Sequence, residues 1–306
     1  MIKPRISENE TGAQSKREPA ADLFRPFSSR IHVDVSGYSH RGKVRPQNED
    51  HFLISRFGRF LESVSTNLPG DQVPQRVEEV GYAMIVADGM GGHAAGEVAS
   101  QMAISGLLRL ILARPDWILR FDETQSKEVQ RRAIQRLQDV HVELVAHAKT
   151  NPALDGMGTT VTVAVSLADD LQITHVGDSR AYLLRGTSLS RLTRDHTYVQ
   201  QLVERGQLST DDAAKHQLRH ILTGVVGGTS TEVDVDVDLV KLNDGDKLLL
   251  CSDGLTDLVT DADLARVMIE MTTSDEACHR LVDLALDRGG RDNITVIVAR
   301  YTMPVD

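Results

Sequence analysis

The chain has little cysteine, no obvious long apolar run and no excess of positive charge, and each shortage excludes a class of protein. Two of its 306 residues are cysteines, Cys251 and Cys278. One falls in an apolar run and the other in a helical pattern, so a disulfide scaffold is excluded and a reduced, cytoplasmic protein is expected. No Cys/His pair has zinc-ligand spacing. No stretch reads as about 18 consecutive apolar residues, so no transmembrane helix is expected. The N-terminus lacks the apolar core of a signal peptide. Lys and Arg number 34 against 44 Asp and Glu, a formal net charge of −10, which opposes binding nucleic acid through a basic face. Internal repeats and linker compositions are also missing. One domain is expected over 31–303, as a monomer, after a disordered polar arm at 1–30 that contains Pro4, Pro19 and Pro26.

What is present is mixed α and β patterning. Alternation predicts strands over 31–36, 51–55, 158–167, 171–176, 181–184 and 233–239, and over 293–300 at the end of the chain. Continuous apolar runs predict buried strands at 82–87 and 247–252. Residues 58–80, with Leu68-Pro69-Gly70 and Pro74, read as a loop. Helical spacing of Val98, Met102, Leu108 and Ile111 predicts a helix over 94–113. Ser126 caps a second, with Val129, Ala133, Leu137, Val140 and Leu144 on one stripe. Further helices are expected at 197–206, 210–215, 262–271 and 274–288. Strands in runs and helices in pairs favour layered sheets over alternating βαβ units.

Two apolar runs end in the same way. Tyr82 to Ala87 stops on Asp88-Gly89, and Lys247 to Ser252 stops on Asp253-Gly254. Acidic sites of similar character occur at Asn48-Glu49-Asp50 and Arg291-Asp292-Asn293. Carboxylates gathered at strand ends without basic partners repel one another, and a bound cation relieves that repulsion. Asp50, Asp88, Asp253 and Asp292 carry about four negative charges, which two divalent ions balance. Hard oxygen donors suit Mg²⁺ or Mn²⁺. Two such ions activate a water and polarise a phosphoryl oxygen. Arg45, five residues before Asp50, has the planar fork that grips two phosphate oxygens.

In order, Ser39 to Asp50 (Ser-His-Arg-Gly-Lys-Val-Arg-Pro-Gln-Asn-Glu-Asp), Ala87-Asp88-Gly89-Met90-Gly91-Gly92, Gly158-Thr159-Thr160, Val176-Gly177-Asp178-Ser179-Arg180, Ser252-Asp253-Gly254 and Arg291-Asp292-Asn293 resemble the metal-dependent serine/threonine protein phosphatases of the type 2C class. Met90 matches the bacterial branch. The resemblance spans about residues 31–300 and implies an α+β fold: a four-layer α-β-β-α sandwich, two antiparallel sheets flanked by helix pairs. It implies that Asp88 bridges two ions and that Gly89 offers its carbonyl. Asp253 and Asp292 would complete one shell and Asp50 the other, with Glu49 acting through ordered water. A third ion would sit on Asp155 and Asp253, with Asp178 supporting that side. Arg45 would bind the substrate phosphate. Attack by a metal-bridged water on phosphoserine or phosphothreonine is implied, as are phosphorylated proteins as substrates and a cognate Ser/Thr kinase as partner. Residues 195–230 would form a flap beside the site.

Met90 stands where eukaryotic members carry a histidine proposed as general acid, and Met cannot transfer a proton. His93 is the candidate replacement; the alternatives are a metal-bound water as acid, and a packing or capping role for His93. The row Asp234, Asp236, Asp238 reads as an exposed strand face, and His196 as a loop organiser. A different class is represented by Gly89-Met90-Gly91-Gly92-His93-Ala94, which fits the Gly-x-Gly-x-x-Ala of dinucleotide binders. Asp88 opposes that reading with the wrong charge for a pyrophosphate. A catalytically dead binding module of the same fold is opposed by the complete set of carboxylates.

Overall fold

The computed structural model describes residues 30–69, 72–91, 94–113, 126–213 and 215–304. The expected arm at 1–30 lies outside these residues, apart from Arg30, and so does His93. The strands are β1 (His32–His40), β2 (Asp50–Glu62), β3 (Arg76–Met90), β4 (Gly158–Thr159), β5 (Val161–Leu167), β6 (Asp170–Val176), β7 (Arg180–Arg185), β8 (Ser188–Arg191), β9 (Val226–Gly227), β10 (Asp236–Lys241), β11 (Lys247–Cys251) and β12 (Ile294–Thr302). The helices are α1 (Ala94–Ala113), α2 (Ser126–Thr150), α3 (Tyr198–Glu204), α4 (Thr210–Ala213), α5 (Asp253–Thr256), α6 (Asp261–Glu270) and α7 (Ser274–Asp287), with a 3₁₀ turn at Pro152–Leu154.

Two antiparallel sheets form the middle. One runs β1-β12-β11-β7-β8. The other runs β10-β6-β5-β3, with β2 on the far side of β3 and β4-β9 extending the end of β3. The residues explain the layering. Along β11 and β12, Leu249, Cys251, Val296 and Val298 face one way, into a core shared with α6 and α7. Leu248, Leu250, Ile297 and Ala299 face the other way, into the core between the sheets. Strands apolar on both faces must be covered on both faces. Across the molecule, Ile85 and Val163 meet α1 and α2, while Met84, Val86 and Ala164 point between the sheets. The order is therefore α-β-β-α, as the resemblance implied.

Several sequence expectations need correction. Residues 58–80 are partly a hairpin: β2 continues to Glu62 and pairs with β3 from Arg76. Its apolar residues Phe60 and Leu61 are exposed, so the stretch carries no burial signal. The buried stripe of α1 is Ala95, Ala99, Ala103 and Leu107, with the expected Val98 and Met102 packed against the same core, while Leu108 is exposed; small residues let this helix lie close on the sheet. Residues 95–113 have a mean hydropathy of 1.2 and the length to cross a membrane, contrary to the expectation of no such stretch. In this fold the helix covers a sheet. The acidic strand begins at Asp236, not 233, and Asp236 pairs with Arg194 and His196 instead of standing free.

Helix α7 covers the first of these sheets, packing its buried face on β11 and β12. Thr273 accepts from the Glu276 amide and Glu276 returns the bond, a complete capping box. Ser274 also ties to Asp34 on β1 through both its amide and its hydroxyl. Thr273→Ala is expected to lower unfolding stability by about 1 kcal/mol, read from urea unfolding with an unchanged slope.

Candidate active site

The site sits where the start of β2, the ends of β3 and β11 and the start of β12 meet at one edge of the sandwich. The antiparallel register places Asp50 directly opposite Asp88. Like charges in facing positions of a sheet repel, so both carboxylates need support, and the named motifs provide it. The Asp88 carbonyl accepts from the Thr159 hydroxyl at 2.8 Å and from the Thr160 amide at 2.9 Å. Its amide donates to Thr160 Oγ1 at 3.1 Å. Thr160 in turn shares a 2.7 Å bond with the Ser179 hydroxyl. The Gly-Thr-Thr and Gly-Asp-Ser segments thus clamp the backbone of Asp88 and leave its carboxylate for other work.

Asp50 is 3% exposed. Ser252 Oγ donates to its Oδ2 at 2.7 Å, while Oδ1 is buried without a hydrogen-bond partner. Such an orphaned carboxylate oxygen calls for a cation or a proton. Asp253, the first residue of α5, follows Ser252. Gly254 next to it is required by close packing: a Cβ there would lie 1.9 Å from the Asn293 carbonyl. Gly89 is similarly constrained, with a Cβ position 2.1 Å from the Gly96 carbonyl; β3 and α1 touch backbone to backbone. The Glu49 carboxylate lies over the same helix turn, 2.8 Å from a Cβ position on Gly96.

Asn293 organises the remaining segment. Its Oδ1 accepts from the Glu49 amide at 2.8 Å, and its Nδ2 donates to the carbonyls of Arg41 and Gln47. One buried amide thereby holds the loop that carries Arg45 beside Asp292. Arg45 Nη2 donates to Asp292 Oδ2 at 2.7 Å, with the arginine side chain 50% exposed.

Electrostatics agree with the geometry. Burial, ahead of the neighbouring aspartates, pushes Asp50 up to about 7 and Asp253 up to about 6. Burial and then the charge of Asp50 hold Asp88 well above the usual carboxylate range. Asp178, in the turn between β6 and β7, is raised by burial and then by Asp253. Crowded acids held above their normal pKa, with one oxygen orphaned, fit a hard divalent cation.

The structure brings together Asp50, Asp88, Asp253 and Asp292, with Asp178 beside Asp253, Glu49 and Gly89 on the neighbouring backbone, and Arg45 at the rim. Asp155 caps the turn at Pro152–Leu154 and is exposed. Among the described residues, His220 and Asp257 converge with Asp253, their ligand-capable atoms all within 4.8 Å of one another. His220 Nδ1 is 3.9 Å from Asp253 Oδ2, and Nε2 is 3.5 Å from Asp257 Oδ2. Sequence reasoning missed both residues. Asp257 lies four residues after Asp253, one helical turn on, which is the signal that could have found it; His220 had none. A polar cavity of about 380 Å³ opens beside this group, between α3, α4 and α5, with Arg180, Arg191 and Arg219 in its wall. Arg180 is held there by a two-point bond to Asp195 at 2.9 and 2.7 Å. His196 organises this region as expected: its amide donates to the Gly177 carbonyl and its ring meets Asp236.

Known proteins are similar to this chain in sequence and fold. A family model described as Protein phosphatase 2C matches residues 69–286. The serine/threonine phosphatase stp of Listeria innocua is 35% identical over 263 residues, which is 86% of this chain and 94% of that protein. Among solved structures, the serine/threonine phosphatase Stp1 from Staphylococcus aureus superposes with a TM-score of 0.71 at 31% identity, covering 88% of this chain and 95% of that one. The catalytic domain of the serine/threonine phosphatase PstP in complex with two manganese ions does so with a TM-score of 0.67 at 32% identity, covering 89% and 99%. A chain that matches the family model over most of its length, and an stp enzyme over nearly all of that enzyme's, belongs to the protein phosphatase 2C family.

Proposed function

We propose that this chain is a metal-dependent protein serine/threonine phosphatase that hydrolyses phosphoserine and phosphothreonine directly with water, without a phosphoenzyme. The observation that carries the reading is the cluster Asp50, Asp88, Asp253 and Asp292 with Arg45 on its rim. Asp50, Asp88 and the Gly89 carbonyl would hold one divalent ion, and Asp88, Asp253 and Asp292 the other. When bound, such ions supply a nucleophile from water at neutral pH and neutralise charge on the phosphoryl oxygens. Manganese in the PstP structure favours Mn²⁺, and the same oxygen donors admit Mg²⁺.

The side chains do the rest. Arg45 pairs with Asp292 through one Nη, and a guanidinium has five N–H donors, so it can also orient a phosphate at the mouth of the site. Asp178 keeps a carboxyl beside Asp253. Met90 is partly exposed and carries no transferable proton. The proton for the leaving alkoxide would come from solvent, from His93, or from His220, whose ring touches the cluster. The cavity wall of Arg180, Arg191 and Arg219 would receive residues flanking the phosphoresidue. A Ser/Thr kinase supplies such substrates, and the free, buried Cys251 and Cys278 suit a reduced cytoplasmic setting.

The test is phosphate release from a phosphothreonine peptide. Turnover with Mn²⁺ that disappears in excess chelator supports the reading; equal turnover with and without chelator refutes metal dependence. Asp253→Asn should reduce turnover to background with the fold intact. Arg45→Ala should lower kcat/KM by roughly ten- to a hundredfold, the worth of a hydrogen bond to a charged group, with circular dichroism unchanged.

Removal of metal should also change how stability follows pH. A carboxyl whose folded pKa is raised binds protons more tightly folded than unfolded. Between its ordinary value and the raised one, stability therefore falls as pH rises. For Asp50 that window runs from 3.8 to about 7. In chelator, Asp50→Asn should raise the melting temperature at pH 7.5 by on the order of a few degrees and change it little at pH 4. An equal effect at both pH values would contradict the raised carboxyl.

A further inference from the structure

Ser252 is the N-cap residue of α5, yet its side chain makes no capping bond. Serine is common at this position because its oxygen accepts from the second or third amide of the helix. Here the oxygen is turned the other way. It accepts from the Thr295 amide at 3.0 Å, which leaves its single proton for Asp50 Oδ2 at 2.7 Å. The side chain is fully buried, so water cannot substitute for it. A second hydroxyl backs the first. Asn48 Nδ2 donates to Ser39 Oγ at 2.8 Å, and Ser39 Oγ shares a 2.7 Å bond with Oγ1 of Thr295, whose amide is the one bonded to Ser252.

A chain of bonds from β1 through β12 to the residue after β11 thus holds the one hydroxyl that grips this carboxylate. Oδ1 of the same carboxylate is buried with nothing bonded to it. A carboxylate gripped on one oxygen and bare on the other has one orientation and one open coordination position. We infer that Ser252 is a positioning residue for the metal centre: its hydroxyl holds Asp50 so that Oδ1 alone faces the ion. The inference rests on the metal-dependent reading above and adds a residue that acts through a ligand without touching an ion or the substrate.

The test is calorimetric titration of Mn²⁺ into the full chain, which needs no substrate. Ser252→Ala should weaken binding of Mn²⁺ by about tenfold to a hundredfold, the usual cost of losing a partner of a metal ligand. Ser252→Cys, close in volume but a weak donor, should fall between alanine and the natural residue. Thr260→Ala is the control. Thr260 caps α6 in the ordinary way, so this variant should lose stability in chelator and keep its affinity for Mn²⁺. A merely structural serine would behave like Thr260. Affinity within twofold of the natural chain in folded Ser252→Ala, or in Ser252→Cys if the alanine variant does not fold, overturns the inference and leaves metal dependence standing. A natural chain that binds no Mn²⁺ overturns both.

Discussion

The repulsion between Asp50 and Asp88 is the constraint on which the rest of the site depends. Their strands pair in a register that sets the two carboxylates face to face, and Asp253 and Asp292 add charge from the other sheet. Every motif around them answers that repulsion in one of two ways. Some fix the backbone so that the acids cannot swing apart, as Thr159, Thr160 and Ser179 do for Asp88. Others satisfy one carboxylate oxygen and leave the next bare, as Ser252 does for Asp50. Buried polar networks of this kind are stable only when each member is satisfied. The orphaned Oδ1 of Asp50 and the raised carboxyls mark the place where the protein alone does not complete its own bonding.

The layered fold makes this crowding possible. Both sheets are anchored by cores on both faces, so the strands carrying the acids are held from above and below. The repulsion is met at one edge, where strands end and backbones approach through Gly89, Gly96 and Gly254. Any side chain at these glycines would drive apart the segments that the hydrogen bonds draw together. Stability thus resides in the apolar layers, and the closest backbone packing lies where the chemistry is.

Much of this was legible in the chain. Buried strands that end on Asp-Gly, the position of Arg45 and the ordered motifs led to the same cluster and to the same four layers. Other features were not legible, for identifiable reasons. The β2–β3 hairpin projects past the sheet, so its exposed Phe60 and Leu61 gave no alternation to read. The most buried positions of α1 are mainly alanines, which hydrophobic spacing underweights, although Val98 and Met102 do pack on the same core. Asp236 looked like part of an exposed row, because its partners Arg194 and His196 lie some 40 residues earlier. The serines and threonines around Asp50 and Asp88 stood inside the quoted motifs, but residue type alone does not say whether a hydroxyl caps a helix, closes a turn or faces a carboxylate.

The two cationic side chains at the cluster show how far the protein's own charges go. Arg45 leans on Asp292 from the loop side, and His220 leans between Asp253 and Asp257 from the flap side. Both are about half exposed, where an ion pair contributes little to stability. Among the described residues neither forms an ion pair with Asp50 or Asp88, the pair that the strand register sets face to face. Protein cations therefore meet the outer acids and leave the inner two to a partner that can enter between strands. A compact divalent ion can do so where a guanidinium or imidazole on its side chain cannot. The same arrangement keeps Arg45 at the mouth, already near the place where an anionic phosphate would arrive, and its remaining donors are what that phosphate would meet first.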